Sequence, residues 1–218
     1  MKKNLTELVF ILDRSGSMTG LESDTIGGYN AMLEKQKKEM GEAVMTTVLF
    51  DDNYELLHDR VNLKDVEAIT DKEYFVRGST ALLDALGLTI NNVGETLRCT
   101  PEEERPENVL FVITTDGMEN ASREFTFEKV RKMIENQKRK YSWEFVFLGA
   151  NIDAEKTAKS FGINRDRATN YVPDSKGTRL NYEVLNKIVT SVRECGHVSS
   201  DWDNSINEDY EKRGKKKQ

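Results

Sequence analysis

The sequence predicts an α/β protein with a doubly wound, mainly parallel sheet and helices on both faces. Two observations carry that prediction. Short apolar runs rich in Val, Ile and Phe alternate with longer segments whose apolar residues recur at helical spacing, which is the pattern of strands joined by crossover helices. Several of those runs end in small polar or acidic residues, as at Asp13-Arg14-Ser15-Gly16-Ser17, Asp116-Gly117 and Asn151-Ile152-Asp153. Chemistry-bearing loops therefore gather at the carboxyl edge of the sheet, where open α/β sheets bind ligands.

The elements follow in order. Leu5 to Leu12 is a buried strand. Leu21 to Met40 has helical character, with Ile26, Tyr29 or Asn30, and Leu33 on one face. Gly27-Gly28 is unfavourable inside a helix, so close helix–sheet packing or a late helix start is expected there. A phosphate loop would need Gly-Lys-Ser or Gly-Lys-Thr, which is absent. Ala43 to Phe50 is the second strand, Asp51-Asp52-Asn53 a tight turn, and Tyr54 to Val61 the returning strand of a hairpin. His58 on that strand reads as a surface residue.

Leu63 to Val76 reads as irregular chain or short helix leading to Gly78-Ser79-Thr80. Leu82, Leu86, Ile90, Val93 and Leu97 then mark a central helix. Its N-terminus directs a partial positive charge at the Asp13 loop, and Asp84 in its first turns reads as structural. Val109 to Thr115 is the next buried strand. Phe127, Val130 and Ile134 mark a helix, Trp143 to Gly149 a strand, and Asp153 caps a short helix to Phe161. Tyr171-Val172 is expected as a last short strand, and Val184, Leu185, Ile188 and Val192 as the final helical face.

At 218 residues the chain is expected to hold one domain, residues 1–196. Residues 197–218 read as a polar, basic-ended, flexible tail that solubilises the end of the chain. The composition is 37% hydrophobic and 32% charged, with a net charge of −6. That balance gives no reason to expect nucleic-acid binding. No run approaches a membrane span. The first apolar stretch is too soon followed by Asp13 to be a signal peptide, so a cytoplasmic protein is expected, with Cys99 and Cys195 as free thiols.

The loop after the first strand carries the most chemistry. Alternation in an extended loop puts Asp13, Ser15 and Ser17 on one side. Three hard oxygen donors converging on a point suit a hard divalent cation such as Mg²⁺, and not zinc, which favours nitrogen or sulfur. Asp-x-Ser-x-Ser in this place resembles the metal-ion-dependent adhesion site of von Willebrand factor A-type domains. Gly78-Ser79-Thr80-Ala81-Leu82-Leu83 matches that family's Thr before a central helix, and Val109 to Gly117 matches its Asp after a later strand. The resemblance covers about residues 5 to 195.

The resemblance implies a sheet with one antiparallel edge strand and a metal site of Asp13, Ser15, Ser17, Thr80 and Asp116. The hydroxyls bind directly, Thr80 not always, and the carboxylates act partly through water. The cation is expected to be Mg²⁺, with Mn²⁺ or Ca²⁺ as alternatives. A partner protein's Asp or Glu would complete the shell, selected by a rim of Arg14, Met18, Ser79, Met118 and Glu119. In size and character the chain is also similar to stand-alone intracellular bacterial members associated with tellurium resistance and chemical stress. A Mg²⁺-dependent phosphoryl-transfer or hydrolytic enzyme is one alternative, but it lacks a His near the site; a scaffold with a purely structural metal is another.

Overall fold

The computed structural model describes residues 1–214. Its strands are β1 (Lys2–Asp13), β2 (Glu42–Phe50), β3 (Tyr54–Asn62), β4 (Pro106–Thr115), β5 (Glu144–Gly149) and β6 (Ala168–Asn170). They form one sheet in the order β3-β2-β1-β4-β5-β6. Only β3 runs antiparallel to its neighbour, so the sheet is the mixed one expected, with a single reversed edge strand. The helices are α1 (Glu22–Gln36), α2 (Leu82–Cys99), α3 (Phe127–Tyr141), α4 (Ala154–Ser160), α5 (Ser175–Cys195) and α6 (Asn204–Arg213).

β1 is central and covered on both faces, which explains its unbroken apolar run. Successive side chains point to opposite faces. Leu8, Phe10 and Leu12 pack with α1, α5 and α6, while Val9 and Ile11 pack with α2, α3 and α4. Among the described residues no helix is long and apolar enough to cross a membrane.

Four expectations are corrected. Gly27-Gly28 lies inside α1, and a Cβ on Gly28 would sit 2.3 Å from the Tyr182 ring. The glycine therefore serves close packing of α1 on α5, not of a helix on the sheet. The last strand is Ala168–Asn170, paired with Phe147 to Gly149, while Tyr171 and Val172 are core residues just beyond it. His58 is half-buried, and burial lowers its imidazole below the ordinary value. The fourth concerns the tail.

The domain does not stop at residue 196. Val198, Trp202 and Ile206 recur every fourth residue and are all buried in the α1–α5 layer of the core. The Trp202 indole N–H donates to the Asp166 carbonyl at 2.9 Å. Arg213 at the end of α6 pairs with Asp209 and, at 2.6 Å, with Asp174. Of the three only Ile206 lies in α6; Val198 and Trp202 anchor the chain that leads into it, and α5 and β6 supply the other side of the contact. Lys215-Lys216-Lys217-Gln218, the rest of the expected basic end, lies outside the described residues.

Candidate metal centre

The sheet topology brings the two acidic loops together. β1 and β4 are parallel neighbours, with Leu12 in register with Thr114. From β1 the chain builds outward through β2 and β3 on one side and through β4, β5 and β6 on the other. Loops leaving β1 and β4 thus diverge around a crevice, the usual ligand position in such sheets.

Asp13 ends β1 and is held at three atoms. Its Oδ1 accepts from the Ser15 backbone N–H at 2.7 Å, a tight local turn. Its Oδ2 accepts from the Thr115 hydroxyl at 2.6 Å, and its carbonyl from the Tyr74 hydroxyl at 2.6 Å. The turn aims the next two hydroxyls at one place. Ser15 Oγ lies 3.0 Å from Ser17 Oγ, and Thr80 Oγ1 donates to Ser15 Oγ at 3.0 Å. Gly117 closes the space: a Cβ there would meet Ser17 Oγ at 2.9 Å and Thr80 Oγ1 at 3.0 Å.

Thr80 is placed by the β4 loop. Its N–H donates to Asn120 Oδ1 at 2.9 Å, and its carbonyl accepts from the Asn120 and Ala121 N–H groups. The N-terminal amides of α2 are satisfied across the same junction, with Leu83 N–H donating to Glu119 at 2.8 Å. Asp84 accepts from the backbone N–H groups of Arg123, Glu124 and Phe125. That is the structural role expected of it.

Asp116 is buried, and its Oδ1 has no hydrogen-bond partner. Burial raises its carboxyl from 3.8 to about 6; the Ser17 hydroxyl opposes that shift and the nearby Asp13 charge adds to it. Burial also raises Asp13, against hydrogen bonds from Ser15 and Thr115. Two buried carboxylates, the charge of Asp13 disfavouring that of Asp116, beside three clustered hydroxyls form a set that a cation would neutralise. The donors are all hard oxygens, as a small divalent ion requires. Among the described residues no three or more His, Cys, Asp or Glu side chains are grouped so as to hold a metal ion, so any ion here would depend on the hydroxyls.

The expected rim is only partly at the surface. Ser79 is exposed, and Met118 is 72% exposed. Arg14 is not a rim residue. It is fully buried and paired with Asp51 at 2.9 Å and Glu55 at 2.7 Å. Met18 is buried as well. Glu119 is committed to the amides of Leu83, Ala121 and Ser122 and to the Ser122 hydroxyl. Asp51, Tyr74, Thr115 and Asn120 went unnoticed as supports. The available signal was position, since Asp51 and Thr115 stand at or directly after strand ends on this edge and Asn120 lies in the loop that follows β4.

No family model matches the sequence, and no curated protein matches it. Solved structures do match the fold. A D319A mutant of the PilB minor pilin from Streptococcus sanguinis superposes with a TM-score of 0.61 at 13% identity, over 89% of this chain and 63% of that one. A von Willebrand factor type A protein from Catenulispora acidiphila gives 0.57 at 12% identity, over 87% and 43%.

The fold is the von Willebrand factor A-type fold.

Another structure with this fold is proximal thread matrix protein 1 from the mussel byssus, described as having a zinc-occupied metal-ion-dependent adhesion site. It gives a TM-score of 0.57 at 14% identity, over 87% of this chain and 47% of that one. The present chain thus spans between 43 and 63% of the length of these three proteins. Within the von Willebrand factor A-type fold, the crevice between β1 and β4 is where Asp13, Ser15, Ser17, Thr80 and Asp116 converge.

Proposed function

We propose that this chain is a divalent-metal-dependent protein-binding module. The observation that carries the reading is the convergence of the Ser15, Ser17 and Thr80 hydroxyls beside the unpartnered Asp116 Oδ1. Ser15, Ser17 and Thr80 would hold the ion directly, and Asp13 and Asp116 from close by. The cation supplies a Lewis-acidic point that accepts one more oxygen ligand. Because its direct ligands would be neutral hydroxyls, with both carboxylates held back, a bound ion would stay electrophilic toward one more oxygen. An Asp or Glu side chain of a partner protein suits the remaining position.

The chain's own residues shape that contact. Asp13 is kept in its turn by Ser15 and Thr115, so the hydroxyl loop is preorganised before any partner arrives. Exposed Met118 and Ser79 flank the crevice and offer apolar and polar contact to the partner backbone. Mg²⁺ is the preferred cation for a compact hydroxyl-rich set. The mussel structure widens the test to zinc, since an oxygen-rich site does not by itself exclude that ion.

A binding role is favoured over catalysis by where the chain's two histidines lie. His58 pairs with Thr47 well back along β3, and His197 follows the far end of α5 with Nδ1 at the Cys195 carbonyl. The chain's resemblance in sequence character to stress-associated proteins makes a component of a chemical-stress system the proposed partner. The test is calorimetric titration with Mg²⁺, Mn²⁺ and Zn²⁺ beside Asp13→Ala and Ser15→Ala, followed by a pull-down with and without EDTA. Saturable binding lost in both variants, with a cation-dependent partner, is expected. Equal cation affinity in wild type and variants would sink the reading.

A further inference from the structure

One carboxylate reaches both hydroxyl loops of the crevice. Asp51 is the first residue after β2, and its side chain is fully buried. Its Oδ2 accepts from Arg14 Nε at 2.9 Å and from Arg77 Nε at 2.8 Å. Its Oδ1 accepts from the Asn53 backbone N–H at 2.7 Å and side-chain amide at 2.9 Å. Its carbonyl accepts from the Ala81 N–H at 2.8 Å. Arg14 stands between Asp13 and Ser15, Arg77 three residues before Thr80, and Ala81 directly after it.

The same segments are zipped along their backbones. Arg14 N–H donates to the Phe50 carbonyl at 2.8 Å, and Arg77 N–H to the Arg14 carbonyl at 2.9 Å. Gly16 N–H donates to the Gly78 carbonyl at 3.2 Å. Both guanidinium groups lie over the Phe75 ring, at 5.3 and 4.9 Å from its centroid.

Turn chemistry explains the Asn53 contacts. It does not call for two arginines, from two loops, on the other oxygen. A fully buried guanidinium is tolerated only with its counter-charges in place; Asp51 shares Arg14 with Glu55 at 2.7 Å and the Glu73 carbonyl at 3.2 Å, and of these three it is the one that also holds Arg77. With Arg14 anchored inward, Ser15 stands at the start of a 3₁₀ turn, Gly16–Met18, which carries Ser17 Oγ to 3.0 Å from Ser15 Oγ, and Thr80 Oγ1 donates to Ser15 Oγ at 3.0 Å. Arg77 fixes the second loop to the Asp51 oxygen that holds Arg14.

We infer that Asp51 is a positioning residue of the metal site: through Arg14 and Arg77 it sets the register of the Ser15–Ser17 loop against the Thr80 loop, and with it the spacing of the three hydroxyls. The consequence for cation binding rests on the metal-site reading above. Asp51 itself acts through the arginines and the backbone, not on the ion. Supporting groups of this kind fix ligand orientation in metal sites generally.

The test compares wild type with Asp51→Asn, Arg77→Ala and Arg77→Lys, using calorimetry with Mg²⁺ and Mn²⁺ and amide hydrogen exchange in EDTA. Asp51→Asn and Arg77→Ala are expected to weaken cation binding about 10- to 100-fold. Exchange in EDTA should speed up in residues 13–19 and 78–82 together. Arg77→Lys keeps a cation within reach of Asp51 and should recover most of the affinity. If Asp51→Asn does not fold, Arg77→Ala carries the test, because its side chain is 45% exposed. Wild-type affinity in the variants, or faster exchange confined to residues 51–55, would overturn the inference. Absence of cation binding by wild type would instead overturn the metal reading, and the exchange data would still decide whether Asp51 clamps the two loops.

Discussion

The Thr115 hydroxyl donates to Asp13 Oδ2 at 2.6 Å across the β1–β4 pair, where the strand order reverses. Both residues are buried, and the other Asp13 oxygen is taken by the Ser15 amide. The bond thus fixes the carboxylate before any ion arrives. Thr115→Val keeps the volume and removes the donor, leaving a buried acceptor unsatisfied. A loss of about 1–3 kcal/mol is expected, measurable by urea denaturation in EDTA. The same variant should bind Mg²⁺ more weakly. A stability and an affinity both equal to wild type would show that Asp13 is held by its own turn alone.

Asp116 makes the crevice pH-sensitive. Its carboxyl is raised from 3.8 to about 6, mainly by burial. A raised carboxyl means that the folded state holds the proton more tightly than the unfolded chain does. Its contribution to stability is present below the unfolded value of about 4 and is lost as pH rises through about 6. In EDTA, Asp116→Asn should therefore stabilise the protein at pH 7.5, on the order of 2 kcal/mol, with little effect at pH 4. Cation binding has the opposite trend, because it needs the carboxylate. The rise in Tm on adding Mg²⁺ should be larger at pH 7.5 than at pH 5.5, and absent in Asp116→Asn. A Mg²⁺ effect independent of pH would contradict this.

Much of the crevice was legible because its ligand types follow strand ends, and strand ends in a parallel sheet share an edge. The alternation of Asp13, Ser15 and Ser17 pointed to one shared place, but the hydroxyls meet there through a 3₁₀ turn at Gly16–Met18 and not through an extended loop. Arg14 and Met18 read as rim residues from their place in that loop, where an arginine is usually solvated, yet both are buried. What makes Arg14 tolerable inside is its pairing with Asp51, 37 residues away in sequence, and with Glu55, and no local pattern announces such a pairing. Glu119 misled for a related reason. It stands beside exposed Met118, yet its carboxylate caps α2, whose free amides come from a distant segment. The α6 helix was missed because its own sequence is polar, and its few apolar residues count only against α5 and β6.

Arg60 and Glu7 form a second buried charge pair, remote from the crevice. Arg60 Nε lies 2.9 Å from Glu7 Oε2, and the Glu7 side chain is fully buried on β1. Burial raises the Glu7 carboxyl, and Arg60 pulls it back down. Removing the arginine leaves a buried carboxylate without its cation. Arg60→Ala should cost about 3 kcal/mol at pH 7.5. Because a raised carboxyl favours the folded state only when protonated, the deficit should shrink as the pH falls toward 5. Mg²⁺ affinity should be unchanged, making this variant a control for those at the crevice. A deficit that grows at low pH would mean that Glu7 is not the residue left exposed to the loss.

Ile206 decides whether the end of the described chain belongs to the domain. Its side chain is buried beside Val198 and Trp202 in the layer shared with α5. In a flexible tail, replacing it would change nothing. In a packed helix, Ile206→Ala leaves a cavity and should cost about 2–4 kcal/mol. The change should appear as a lower urea midpoint with an unaltered slope, because the surface exposed on unfolding is nearly the same. Asn207, one residue on, accepts from the Thr169 hydroxyl at 2.9 Å, so loosening α6 also frees β6, the edge strand. Faster amide exchange in residues 168–170 should therefore accompany the loss of stability. A variant with wild-type stability and a protected β6 would return residues 197–214 to the status of a tail.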